Sequence, residues 1–138
     1  MGVASESGTR SGPCLGPSIS ELGAAYRSGE TTPADICRQV LATIADRGAD
    51  GVWISVADHE AVLARCAALA EVDDPSALPL WGIPFGVKDS IDIAGWPTTL
   101  ACPDYAYEAS ETAPVVRRLL DAGAVLIGKT NLDQFATG

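Results

Sequence analysis

An α/β chain is predicted by three features of the sequence: two capped helix signals at the start, short apolar strand signals further on, and helical patterns between those strands. Ser18 and Glu21 form an S-x-x-E capping box ahead of Leu22, Ala25 and Tyr26, and Gly29 closes this first helix. Thr32 followed by Pro33 starts a second, with Ile36, Val40, Leu41 and Ile44 at helical spacing and Gly48 as its stop. Residues 52–56 are β-branched and aromatic, hence a strand, after which Asp58 caps an alanine-rich helix running to Ala70. Glu60, Arg65 and Glu71 keep one side of that helix wet, and the Pro- and Asp-containing stretch 72–80 reads as a loop. From Pro114, the residues Val115, Val116, Leu119 and Leu120 line one helical face that ends at Gly123, and 124–127 is a buried strand. Residues 1–17 are rich in Gly, Ser and Pro and form a flexible tail, which leaves 18–138 to carry the fold.

Composition narrows the function classes. With 47% hydrophobic residues in 138, the chain can bury roughly two thirds of its unfolded surface, so it is one domain or part of one. A formal net charge of −9 repels phosphate backbones and anionic bilayers, which argues against nucleic-acid and membrane partners. No apolar run approaches the ~18 residues of a membrane span, and the first residues lack a secretory signal's basic start and apolar stretch, so a cytoplasmic protein is expected. Cys14, Cys37, Cys66 and Cys102 make no CxxC pair or zinc ribbon and read as free thiols, the last three buried. His59 is the only histidine and reads as solvated on a helix start, so no metal site is expected.

Residues 123–130, GAVLIGKT, match the expression of a phosphate-binding loop. That loop needs a strand before its first glycine and small residues whose N–H groups are free to meet phosphate oxygens. Here a helix precedes Gly123, and Ala-Val-Leu-Ile calls for a sheet ladder that consumes those N–H groups. Nucleotide binding is the weaker reading, and Lys129 is expected to be solvated.

The block IPFGVKD, residues 83–89, says more. Strand alternation puts Ile83, Phe85 and Val87 on one face and Pro84, Gly86 and Lys88 on the other, where Gly86 leaves room beside Lys88. Asp89, adjacent in sequence, is sent to the face opposite Lys88 and reads either as structural, bonding backbone N–H groups of the following turn, or as support for the site.

The run GIPFGVKDSIDIAGWPTT (82–99), the helix from Pro114 to Gly123 and the run GKTNLDQFATG (128–138) resemble, in order and spacing, the amidase signature family. TTLACPDYAY (98–107) together with KTNLDQFATG is most similar to the family's allophanate-hydrolysing members. The amidotransferase A subunits that make glutaminyl-tRNA usually carry Glu and Met where Gln134 and Thr137 stand. The resemblance implies an α/β fold with a large mixed sheet flanked by helices on both sides, and a Ser-Ser-Lys triad in which Lys88 is the lysine. It also implies substrate contacts at Ala136, Thr137 and Gly138, with Asn131, Asp133 and Gln134 alternatively only capping and turning the chain. The implied reaction is hydrolysis of a small-molecule amide, allophanate, to ammonium and carbon dioxide, with no cofactor and no metal; a homodimer is compatible with it. A lysine acting as base near neutrality must fall from ~10.4 to near ~7, which full burial can supply.

The family's two catalytic serines lie in Gly- and Ser-rich segments downstream of these blocks, and residues 1–138 contain no Gly-Ser-Ser-Gly setting. The sequence therefore reads as the amino-terminal part of an amidase domain. By itself it is expected to be inactive and, ending just beyond a central strand, to leave a sheet edge of unpaired N–H and C=O groups and an apolar face uncovered. A non-catalytic fragment that meets a partner through that edge is the reading of another class.

Overall fold

The structure is a computed structural model that describes residues 16–138. The expected tail of residues 1–17, with Cys14, lies outside that range apart from Gly16 and Pro17. Helix α1 spans Ile19–Ser28, and both halves of its capping box form: Ser18 Oγ accepts from the Glu21 N–H at 3.2 Å, while the Glu21 carboxylate accepts from the Ser18 N–H at 2.7 Å. Helix α2, Pro33–Arg47, begins with the Thr32 hydroxyl accepting from the Asp35 N–H. Strand β1 is Trp53–Val56, and helix α3, His59–Ala70, is capped by the Asp58 carboxylate. Strand β2 is Pro84–Lys88; β3, Pro97–Thr98, pairs antiparallel with β4, Tyr107–Glu108. Helix α4, Pro114–Asp121, leads into strand β5, Val125–Thr130.

The main sheet has the order β1-β5-β2, with β5 antiparallel to β1 and parallel to β2. It is mixed, as expected, and helices cover both faces. Val125 and Ile127 of β5 pack with Cys37 and Leu41 of α2 and Val62, Cys66 and Leu69 of α3. The alternate residue Leu126 joins Phe85 and Val87 of β2 on the other face, under Val116 and Leu120 of α4. Helix α1 seals the entry to β2: Leu22 and Tyr26 pack on Ile83, and the Tyr26 hydroxyl donates to the Gly82 carbonyl at 3.0 Å.

Strand β5 is central, paired on both sides among the described residues, and the open edges are those of β1 and β2. Two expectations need correction. Val115 is 55% exposed, because α4 turns Val116 and Leu120 to the sheet and leaves Val115 on its outer side. Arg65 does not stay in water: its guanidinium donates to the Leu120 carbonyl at 2.6 Å, satisfying a carbonyl at the end of α4. His59 is exposed, Cys37 and Cys66 are buried, and Cys102 is half-buried.

Candidate active site

The site begins with a break in register. Phe85 pairs with Leu126, but Gly86 pairs with Gly128, so β5 holds one extra residue at Ile127. Unbroken alternation would place Lys129 with Val125 and Ile127 against α2 and α3. The bulge reverses that parity and sets Lys129 in register with Val87, on the α4 face. Glycine is required at the bulge, since a Cβ on Gly128 would lie 2.3 Å from the Ser55 carbonyl oxygen. A Cβ on Gly86 would approach the Trp53 ring to 3.0 Å. The room that Gly86 leaves is thus filled by that ring.

Lys129 is fully buried, contrary to the solvated position expected of it. Its ammonium lies 3.1 Å from Asp89 Oδ1 and donates to the Pro97 carbonyl at 2.8 Å and to Thr98 Oγ1 at 2.9 Å. Two hydrogen bonds and the charge of the adjoining carboxylate let the ammonium tolerate a dry position, although Asp89 Oδ1 itself accepts no hydrogen bond of good geometry. Asp89 is also fully buried, and its Oδ2 accepts from the N–H of Thr99 at 2.9 Å and from the Thr99 hydroxyl. Its partners are therefore Lys129 and a residue ten positions on, rather than the N–H groups of the turn directly after it. Burial pushes the Asp89 carboxyl up, but hydrogen bonds from Thr99 and Lys129 outweigh this and hold it below its ordinary value. The network continues outward, as Thr98 Oγ1 donates to Asp92 at 2.8 Å and the Tyr107 hydroxyl donates to the same oxygen at 2.7 Å. These bonds fasten β3 and β4 to the ends of β2 and β5.

Lys88 occupies the last position of β2, in register with Thr130, and is exposed. Alternation does send it away from Asp89. Among the described residues Lys88 takes part in no ion pair, because the carboxylate next to it in sequence is committed to Lys129.

Ala136, Thr137 and Gly138 leave from the carboxyl end of β5, the same end of the parallel pair that carries Lys88, which is where open α/β sheets bind ligands. All three are exposed, and no side-chain hydrogen bond joins Lys88 to them among the described residues. A second signal marks this region. Leu100, Ala101, Phe135 and Ala136 all have φ between 53° and 58°, a left-handed region that non-glycine residues seldom adopt. The two pairs are tied by the Phe135 N–H donating to the Leu100 carbonyl at 3.0 Å, and Tyr105 stacks edge-on against Phe135 with centroids 5.4 Å apart. Backbone held in such conformations collects at ligand sites. Asn131 does turn the chain, its amide donating to the Gly51 carbonyl at 2.9 Å, while Asp133 makes no side-chain cap.

The buried thiols supply no alternative nucleophile: burial, then the neighbouring Cys66, push the Cys37 thiol up to about 12. The GKT run lies within β5, as strand composition requires, and is not a phosphate loop.

The family model described as Amidase matches residues 39–138. The chain belongs to the amidase family. It is 51% identical over 89 residues to the urea amidolyase of Saccharomyces cerevisiae, a stretch that is 64% of this chain and 5% of that protein. It is 37% identical over 126 residues to the A subunit of the mitochondrial glutamyl-tRNA(Gln) amidotransferase of Ornithorhynchus anatinus, covering 90% of this chain and 24% of that one. The solved allophanate hydrolase of Kluyveromyces lactis superposes with a TM-score of 0.75 at 39% identity, over 90% of this chain and 20% of that chain. This amidase chain thus spans about a twentieth of the length of the urea amidolyase and about a fifth to a quarter of the other two. No helix among its described residues is long and apolar enough to cross a membrane.

Proposed function

We propose that this chain is the amino-terminal part of an allophanate hydrolase, a cytoplasmic amidase in which Lys88 is the base of a Ser-Ser-Lys triad. The observation that carries the reading is the position of Lys88: it closes β2 at the carboxyl end of the parallel pair, and among the described residues no carboxylate is paired with it. Neutral Lys88 takes a proton from a bridging serine, which takes one from the serine that attacks the amide carbonyl. The leaving amine departs with a proton, and water releases the acyl group. By the family resemblance both serines come from downstream residues. Ala136, Thr137 and Gly138 contribute backbone to the pocket for a small-molecule amide, the strained turn at Phe135–Ala136 fixing their course.

The match to the amidotransferase over 90% of this chain supports a second reading, a glutamine-consuming amidase component. One experiment decides. An intact enzyme carrying this chain is assayed for ammonium release from allophanate and from glutamine, with and without Lys88→Ala. Allophanate turnover that drops by roughly 10²- to 10⁴-fold or more in the variant is expected. Turnover that survives Lys88→Ala refutes the triad, and turnover of glutamine alone selects the second reading.

A further inference from the structure

The buried pair Lys129–Asp89 has a consequence for Lys88 that the triad does not contain. Asp89 is the carboxylate nearest to Lys88 in sequence, and an anion beside a base lysine favours the charged form that cannot accept a proton. Three features remove it from that role. Alternation turns it to the α4 face, the Thr99 N–H and hydroxyl hold one oxygen, and the Lys129 ammonium neutralises the other at 3.1 Å. Lys129 reaches it only because the Ile127 bulge has reversed the parity of β5. The backbone is held at the same point, as the Asp89 N–H donates to the Thr130 carbonyl at 3.0 Å, directly beyond Lys88. No charged residue of β1 lies near, for that strand is Trp-Ile-Ser-Val, and β5 offers only Lys129, which faces the other side.

We propose that Lys129 is a positioning residue for Lys88: by pinning and neutralising Asp89 on the far face of β2, it leaves the Lys88 amine without an anionic partner. The inference rests on Lys88 being the amidase lysine, yet its test measures no hydrolysis, so the two can fail separately.

Residues 88 and 129 are the only lysines in the chain. Acetic anhydride labelling of the full 138-residue chain, with peptide mapping by mass spectrometry, therefore reads each amine alone. In the folded wild type Lys88 is labelled readily and Lys129 is protected; equal labelling of the two overturns the proposal. At pH 8, where free carboxylates are ionised, K129M leaves Asp89 as an uncompensated anion. Lys88 labelling then falls by about three- to tenfold, the size expected of one charge acting through a partly wet surface. The double variant K129M/D89N, which removes both charges, returns it to the wild-type rate. A folded K129M with unchanged Lys88 labelling refutes the proposal, as does a fall that the double variant fails to reverse. Should K129M not fold, the double variant is compared with the wild type directly. Rates within about twofold support the neutralised pair, whereas faster labelling in the double variant shows that the Asp89 charge already reaches Lys88.

Discussion

Lys129 and Asp89 meet at 3.1 Å with neither side chain exposed, while Lys88, one residue before Asp89, faces solvent on the opposite side of the same strand. Two lysines of one chain thus have opposite fates, decided by which side of a sheet each reaches.

The first prediction concerns the stability of that pair. Removing one partner of a buried ion pair strands the other in a dry site, which costs about 3 to 5 kcal/mol, whereas replacing both with groups of similar volume costs far less. Urea unfolding of K129M is expected to show a loss of that order. K129M/D89L, apolar at both positions, is expected to recover most of it. Additive losses in the double variant would mean that the pair is not coupled.

The second follows from the protonation of Asp89. Its carboxyl titrates below its ordinary value of 3.8 when folded, so the unfolded chain binds more protons in the interval between the two values. The stability contributed by this group is complete above pH about 3.8 and is lost as pH falls through the folded value. Glu21 and Asp35, held low by hydrogen bonds to Ser18 and Thr32, act in the same direction. Urea midpoints measured from pH 6 down to pH 2 should therefore fall more steeply in the wild type than in K129M/D89L. The variant keeps the slope due to Glu21 and Asp35 and loses the part due to Asp89, together with the share of Asp92's lowering that comes from the Lys129 charge.

Much of the fold is legible because its signals are local. Ser18 with Glu21, Thr32 with Pro33, and Asp58 each bond within the next few residues, so a short window contains the whole interaction. That Lys88 and Asp89 lie on opposite faces is legible through strand parity. What could not be read depends on distant partners. Lys129 reads as solvated because composition cannot show Pro97, Thr98 and Asp89 converging on it across 31 to 40 residues of sequence. Arg65 reads as wet for the same reason, its acceptor being Leu120. The one clue available was Gly128, a glycine inside an apolar strand, which marks a bulge or a close approach and so warns that alternation will not carry through to the next residue.

That glycine carries the third prediction. At Gly128 an added methyl group meets the Ser55 carbonyl oxygen at 2.3 Å, a backbone atom in the paired strand that cannot move without breaking the β1–β5 ladder. At Gly86 the neighbour is the edge of the Trp53 ring at 3.0 Å, which can tilt by tenths of an ångström. Gly128→Ala is expected to destabilise by more than ~3 kcal/mol, beyond ordinary overpacking, and Gly86→Ala by ~1 to 3 kcal/mol. Thermal unfolding monitored by circular dichroism ranks the two. Equal losses would show that β1 yields as easily as an indole ring.

The strained turns give the last prediction. Ala101 at φ 58° and Ala136 at φ 55° hold a conformation that a Cβ disfavours by roughly 1 kcal/mol and glycine accepts freely. If their only role were to let the chain turn, glycine would serve as well or better. Ala101→Gly and Ala136→Gly are therefore expected to leave the midpoint of unfolding unchanged or to raise it, by up to ~1 kcal/mol each, set against the greater freedom that glycine gives the unfolded chain. Valine at either position, β-branched and therefore poorly suited to this region, is expected to destabilise instead. The functional consequence runs the other way. The Phe135 N–H reaches the Leu100 carbonyl only while both turns keep their shape, and glycine admits alternatives to that shape. In an intact enzyme carrying this chain, Ala136→Gly should raise KM for the amide more than it lowers kcat, since it loosens the backbone proposed above to line the pocket without touching Lys88. An unchanged KM in a variant of unchanged stability would remove residues 136–138 from the substrate's path.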